Sequence, residues 1–136
     1  MAVDKKATLT YVQLMKEDLA VFRLVPEDGV IPDYETGQFI TLGMPIPSED
    51  NKIIRRAYSI ASHPENKRFI ELVIRWVRKP LPGRVTTALF NAGEGNEVSW
   101  LPPTGAALQI NEKLADGSKD QRRIVCVSGG TGIAPF

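Results

Sequence analysis

Phe69-Ile70-Glu71-Leu72-Val73-Ile74-Arg75-Trp76-Val77 alternates with a period of two, placing Ile70, Leu72, Ile74 and Trp76 on one face and Phe69, Glu71, Val73, Arg75 and Val77 on the other. Successive side chains of an extended strand point to opposite faces, so the all-apolar face marks a strand lying on a core. Short runs rich in Val, Ile, Thr, Tyr and Phe recur on both sides of it, at Ala7–Gln13, Leu19–Val25, Gln38–Gly43, Ala57–Ser62, Glu97–Leu101 and Ala107–Ile110. Pro, Gly, Asn and Asp separate them, which predicts an all-β barrel or sandwich. One helical stretch interrupts the strands at Val85–Ala92, with Val85, Leu89 and Ala92 on one side and Thr86 or Thr87 as candidate N-cap.

The chain has 136 residues, enough for one domain with a proper core and too few for a second complete one. Hydrophobic residues make up 43% and charged residues 24%, so nothing points to a disordered, collagen-like or coiled-coil chain. Seventeen basic against sixteen acidic side chains leave a formal net charge of +1. Neither nucleic acid nor an anionic membrane is therefore expected as partner, and any anion site must be local. A lone cysteine, Cys126, excludes an intramolecular disulfide and any multi-cysteine metal or iron–sulfur site within the chain, and no metal site is expected. The N-terminal residues lack an apolar signal core, and no apolar run approaches the roughly 20 residues that span a bilayer. A cytoplasmic protein without membrane insertion is the expectation.

The character of the chain changes near its end. Leu114 to Arg122 is polar and charged, whereas Ile124-Val125-Cys126-Val127 is continuously apolar and runs directly into Ser128-Gly129-Gly130-Thr131-Gly132-Ile133-Ala134-Pro135-Phe136. A strand feeding a loop with Gly129, Gly130 and Gly132 allows backbone amides to approach a phosphate, and Pro135 suits the first turn of a following helix. The same loop also reads as an ordinary tight turn. The expected organisation is a β domain over 1–110, a linker over 111–123, and over 124–136 the first strand and Gly-rich loop of a Rossmann-like α/β domain. The remaining strands of that domain would lie beyond Phe136, so the chain is expected to be an N-terminal fragment.

The most informative chemistry lies in Arg55-Arg56-Ala57-Tyr58-Ser59-Ile60-Ala61-Ser62, where alternation puts Arg56, Tyr58 and Ile60 on one face and Ala57, Ser59 and Ala61 on the other. An Arg pairs bidentately with a diphosphate, a Tyr ring stacks on a heteroaromatic ring, and a Ser hydroxyl bonds a ring nitrogen. Those are the needs of a dinucleotide flavin. Taken alone, the segment also reads as a plain strand with Arg56 solvated and Tyr58 half-buried.

The order Arg-x-Tyr-Ser at 56–59, Gly-x-x-Thr at 83–86, Pro-x-Gly at 103–105 and Gly-Gly-Thr-Gly-Ile-Ala-Pro at 129–135 resembles the ferredoxin–NADP⁺ reductase family over essentially the whole chain. Arg-Ala-Tyr-Ser-Ile-Ala-Ser with Pro-Pro-Thr-Gly looks most like its bacterial ferredoxin (flavodoxin)–NADP⁺ reductase group. The resemblance implies a mainly β fold, a closed antiparallel Greek-key barrel with one short helix that carries FAD. In the intact protein it implies electron transfer between NADP(H) or NAD(H) and ferredoxin or flavodoxin through flavin N5. By the same resemblance Arg56 holds the pyrophosphate, Tyr58 lies against the isoalloxazine, Ala57 sits between them, and Ser59, the expected catalytic residue, approaches N5. Val73, Ile74 and Arg75 lend backbone groups to the flavin, and Gly83, Arg84, Val85 and Thr86 receive phosphate at a helix start. Thr131 reaches toward the flavin from a loop whose Gly129, Gly130 and Gly132 admit the nucleotide. Lys79-Pro80-Leu81-Pro82 departs from shorter bacterial relatives by adding residues before Gly83.

Two rivals share parts of this pattern. One is a reductase component of an oxygenase or the electron-transfer subunit of another dehydrogenase; the other is a flavin-free β-barrel binding module. His63 reads as a solvated turn residue, Trp76 and Trp100 as packing residues, Cys126 as a core thiol, and Arg122 and Arg123 as strand flanks.

Overall fold

The computed structural model describes residues 4–108 and 110–136. Six strands, β1 (Lys5–Lys16), β2 (Leu19–Pro26), β3 (Phe39–Ile46), β4 (Lys52–Ser59), β5 (Ile70–Arg75) and β6 (Glu97–Thr104), pair antiparallel throughout. Their order is β4-β3-β6-β1-β2-β5, and the single helix α1 (Arg84–Ala92) joins β5 to β6. The long passage from β2 to β3 crosses two intervening strands, which gives the Greek-key character.

The alternating face of β5 behaves as its pattern dictates: Ile70, Leu72 and Ile74 are buried and meet Phe22, Leu24, Ile40, Leu42 and Leu9 in one core. Trp100 from β6 fills its centre, and α1 buries Val85 and Leu89 against it. Phe90 of the same helix packs edge-on to Phe22 with ring centroids 5.3 Å apart.

The barrel is not closed. β4 and β5 form the two edges of the sheet, and no ladder joins them among the described residues. Just beyond β4 the Ala61 amide donates to the Glu71 carbonyl at 2.8 Å, and the Glu71 amide donates to Ser62 Oγ at 3.0 Å. The Tyr34 hydroxyl, 2.7 Å from the His63 carbonyl oxygen and 3.1 Å from Ser62 Oγ, pins the same place. The seam is fastened at one end and splayed at the other, because β4 follows β3 away from β5 along a full hairpin register from Ile46↔Lys52 to Phe39↔Ser59. That hairpin also corrects the expected strand Ala57–Ser62. Asp50 and Asn51, both at φ 58, make the turn, so pairing begins at Lys52 and ends at Ser59.

Three further expectations are revised. Ala107 and Leu108 are not in a strand, and Gln109 lies outside the described residues; the Leu108 amide instead donates to the Thr36 carbonyl at 2.6 Å. Ile124–Val127 is not a strand either, with Val125 81% and Val127 85% exposed and Cys126 exposed rather than in a core, because no strand among the described residues covers that run. The N-cap of α1 is Gly83, without any side-chain cap. Thr86 instead turns its Oγ1 back onto the Gly83 carbonyl and accepts the Val77 amide, each at 3.3 Å.

Candidate functional site

Where β4 and β5 diverge, a cleft of about 530 Å³ opens. Arg56, Ala57 and Tyr58 form its β4 wall; Val73, Ile74 and Arg75, with Val77, form its β5 wall. The first turn of α1 closes one end with Gly83, Arg84, Val85 and Thr86, and Thr131 reaches in from the C-terminal segment. Among the described residues β5 is laddered only to β2, so beyond Glu71 its other edge turns the backbone groups of Val73 and Arg75 to the cleft.

The charges point one way. Three of the lining side chains are arginines and none is acidic. Neighbouring guanidinium groups are already committed: Arg55 to Asp4, Arg84 to Glu49 at 2.6 Å, and Arg75 more loosely to Asp18 at 3.7 Å. Arg56 donates to the Arg55 carbonyl at 2.8 Å, and no carboxylate pairs with it among the described residues. A free fork thus stands in a cationic cleft, suited to a diphosphate.

The helix start adds donors. The first intrahelical bond of α1 runs from the Thr87 amide to the Gly83 carbonyl at 2.9 Å, so the amides of Arg84, Val85 and Thr86 precede the ladder. With no side-chain cap, they are available to an anion and lie at the positive end of the helix dipole. Gly83 holds this turn against the segment that follows β5, its amide donating to the Val77 carbonyl at 2.7 Å. The extra residues Lys79–Pro82 therefore bulge outward from a pinched base, with Leu81 78% exposed, and leave Gly83 beside the strand. A Cβ on Gly83 would stand 2.6 Å from Thr86 Oγ1 and 3.0 Å from Val77 Cβ. Thr86 is buried and tied at both ends, so Gly83→Ala is expected to displace the first turn and cost roughly 1–3 kcal/mol in chemical denaturation.

Tyr58 is half-buried, and its hydroxyl is buried without a hydrogen-bond partner among the described residues. Burial pushes the phenol up to about 12, only partly opposed by the Arg56 charge. An orphaned hydroxyl of this kind costs about 1–3 kcal/mol, which a hydrogen-bonding ligand in the cleft offsets. The free Arg56, the uncapped amides and the orphaned hydroxyl together fit a ligand with a diphosphate and a ring.

Not every candidate converges. Ser59 ends β4 opposite Phe39 and does not line the cleft, so no role follows for it from the geometry. Gly129, Gly130 and Gly132 also stay outside; the 3-10 turn Gly130–Ile133 packs near β5 and delivers only Thr131. Val77 and Glu49 escape sequence reading. The first falls at the end of an otherwise legible strand, and the second acts through an ion pair across 35 residues that no local pattern announces.

The family described as "Oxidoreductase FAD-binding domain" matches residues 6–108. A flavohemoprotein of Halalkalibacterium halodurans is 31% identical over 120 residues, covering 85% of this chain and 27% of that protein. The electron transfer subunit of dihydroorotate dehydrogenase B (NAD(+)) from Streptococcus thermophilus is 28% identical, covering 85% of this chain and 40% of that one. Among solved structures, a cytochrome P450 reductase from Amycolatopsis superposes with a TM-score of 0.75 at 26% identity, covering 98% of this chain and 36% of that chain. The chain thus spans well under half the length of these relatives.

Proposed function

The chain belongs to the oxidoreductase FAD-binding domain family, and from that membership we propose that the cleft between β4 and β5 holds FAD and that the intact protein moves electrons between NAD(P)H and a protein acceptor. The observation that carries the reading is the unpaired Arg56 facing the uncapped amides of Arg84, Val85 and Thr86 in a cleft without acidic residues. Flavin, when bound, supplies the hydride and single-electron chemistry that protein side chains lack.

The residues of the chain bind and orient. Arg56 and the start of α1 neutralise the diphosphate; Tyr58 supplies the ring surface and a hydroxyl in need of a partner; the free edge of β5 offers the backbone groups of Val73 and Arg75, while Ile74 turns its own toward β2 and lines the cleft beside them. Residues 1–110 make the flavin domain, 111–123 a linker, and 124–136 the opening of a nucleotide-binding domain.

Ferredoxin or flavodoxin is the acceptor that the sequence motifs favour. A second reading, the reductase or electron-transfer subunit of a larger oxygenase or dehydrogenase system, is favoured by what the Streptococcus and Amycolatopsis relatives are. The flavin assignment itself is tested by adding FAD to the purified chain. A protein-bound flavin spectrum that survives gel filtration is expected, and a folded chain that stays colourless would favour a flavin-free barrel.

Tyr58→Phe separates ligand binding from folding. Removing an orphaned hydroxyl should raise the stability of the ligand-free chain by up to about 1–3 kcal/mol while weakening FAD binding about 3–10-fold, one hydrogen bond's worth. The pH dependence has a definite sign. Tyrosine titrates near pH 10 when unfolded, and Tyr58 is held at about 12 in the fold. Its contribution is therefore complete below about pH 10 and lost as pH rises through about 12, on the order of 1–2 kcal/mol. Urea midpoints measured at pH 9 and near pH 12 should fall further in the wild-type chain than in Tyr58→Phe.

A further inference from the structure

Arg84 is the first residue of α1 and lines the cleft, but its guanidinium is bound to Glu49 at 2.6 Å. Glu49 does not itself line the cleft. It ends the 3-10 turn Pro47–Glu49 between β3 and β4, and Asp50 and Asn51, both at φ 58, follow it. Pro47 fixes the start of that turn, and the Asn51 amide closes it onto the Ile46 carbonyl at 3.1 Å. The carboxylate is therefore presented from a short, pinned loop. Arg84 meets it on a long side chain with several rotatable bonds, so of the two partners the arginine is the one free to move.

The pair joins the β3–β4 hairpin, which carries Arg56, to the helix that carries the uncapped amides. Its side chains are 49% and 33% exposed, so water screens the attraction and the pair breaks readily. A diphosphate held by Arg56 and the start of α1 brings more negative charge to Arg84 than one carboxylate does, and offers its fork several oxygens. We propose that Glu49 is a positioning residue that competes with the diphosphate for Arg84. Arg84 leaves the carboxylate for phosphate oxygens when the ligand binds, and returns to it when the ligand departs. Glu49 thus compensates one arginine of a cleft lined by three, and lowers the affinity of the site by the worth of the pair that must break. The proposal rests on the assignment of the cleft to FAD.

Titration of FAD into the wild-type chain, Glu49→Gln, Arg84→Ala and the double variant, followed by quenching of flavin fluorescence, tests it. Glu49→Gln keeps the size of the side chain and removes its charge. It should tighten FAD binding about 3-fold at low salt, and the gain should shrink as ionic strength rises. In the Arg84→Ala background the same substitution should change affinity less than about 1.5-fold. The side-chain Nε–H resonance of Arg84, assigned by its loss in Arg84→Ala, follows the exchange directly. It should differ between the wild-type chain and Glu49→Gln before FAD is added and coincide once both are saturated. Unchanged or weaker FAD binding by Glu49→Gln, an equal gain with and without Arg84, or a wild-type Arg84 resonance that FAD leaves in place would overturn the exchange and leave the flavin cleft standing. A folded chain that binds no FAD would overturn both.

Discussion

Arg56→Ala is expected to lower FAD affinity about 100-fold, the worth of a bidentate, charge-assisted contact, while leaving the stability of the ligand-free chain almost unchanged. The two halves of this expectation follow from one fact. Arg56 is exposed and has no carboxylate partner among the described residues, so folding depends little on it. Its neighbour Arg55 provides the internal control. Arg55 is paired with Asp4 and lies outside the cleft, so Arg55→Ala should change flavin affinity less than about 3-fold. Arg56→Lys keeps the charge but loses the planar fork, and should recover only part of the binding. Fluorescence titration at two salt concentrations checks all three. The Arg56 contribution should also shrink as ionic strength rises, because the cleft is open to solvent.

Trp100→Ala should produce the largest loss of stability, about 3–5 kcal/mol in chemical denaturation. Trp100 is 2% exposed at the centre of the core, on a strand that lies between β3 and β1. Its indole Nε1 donates to the Lys6 carbonyl at 3.2 Å, so truncation leaves a cavity and strips a partner from the β1–β6 seam together. Trp76 makes a useful contrast. It is half-buried, donates to Thr87 Oγ1 at 3.0 Å and packs on Phe90 at 5.1 Å between ring centroids, so Trp76→Ala should cost less.

The strands that were legible are those with one face against the core. Ile70, Leu72 and Ile74 announced β5, and the run Leu19–Val25 marked β2, whose Ala20, Phe22 and Leu24 are buried. β4 was misplaced because its exposed run Lys52, Arg55, Arg56 and Ala57 carries no core pattern; pairing with β3, rather than burial, makes it a strand. Ile124–Val127 misled for the opposite reason. Its composition suits a strand covered on both faces, but that structure depends on neighbours rather than on the run itself.

The cleft was legible to the extent that its walls are local segments. Arg56 to Tyr58, Val73 to Arg75 and Gly83 to Thr86 are each contiguous, and the fold needs only to bring three short stretches together. Which arginine stays free was not legible. Asp4, Asp18 and Glu49 come from distant parts of the chain, and only the folded arrangement gives them to Arg55, Arg75 and Arg84 and leaves Arg56 without one. The opening itself depends on the failure of β4 and β5 to pair beyond the Tyr34 clamp, a feature of registry rather than of any residue type.

Binding of FAD between β4 and β5 is read residue by residue from backbone amide chemical shifts as FAD is added to the isotopically labelled chain. The largest changes are expected at Arg56, Tyr58, Val73 to Arg75 and the first-turn amides of Arg84, Val85 and Thr86. Saturable binding whose changes spare these residues and cluster elsewhere would contradict binding between β4 and β5.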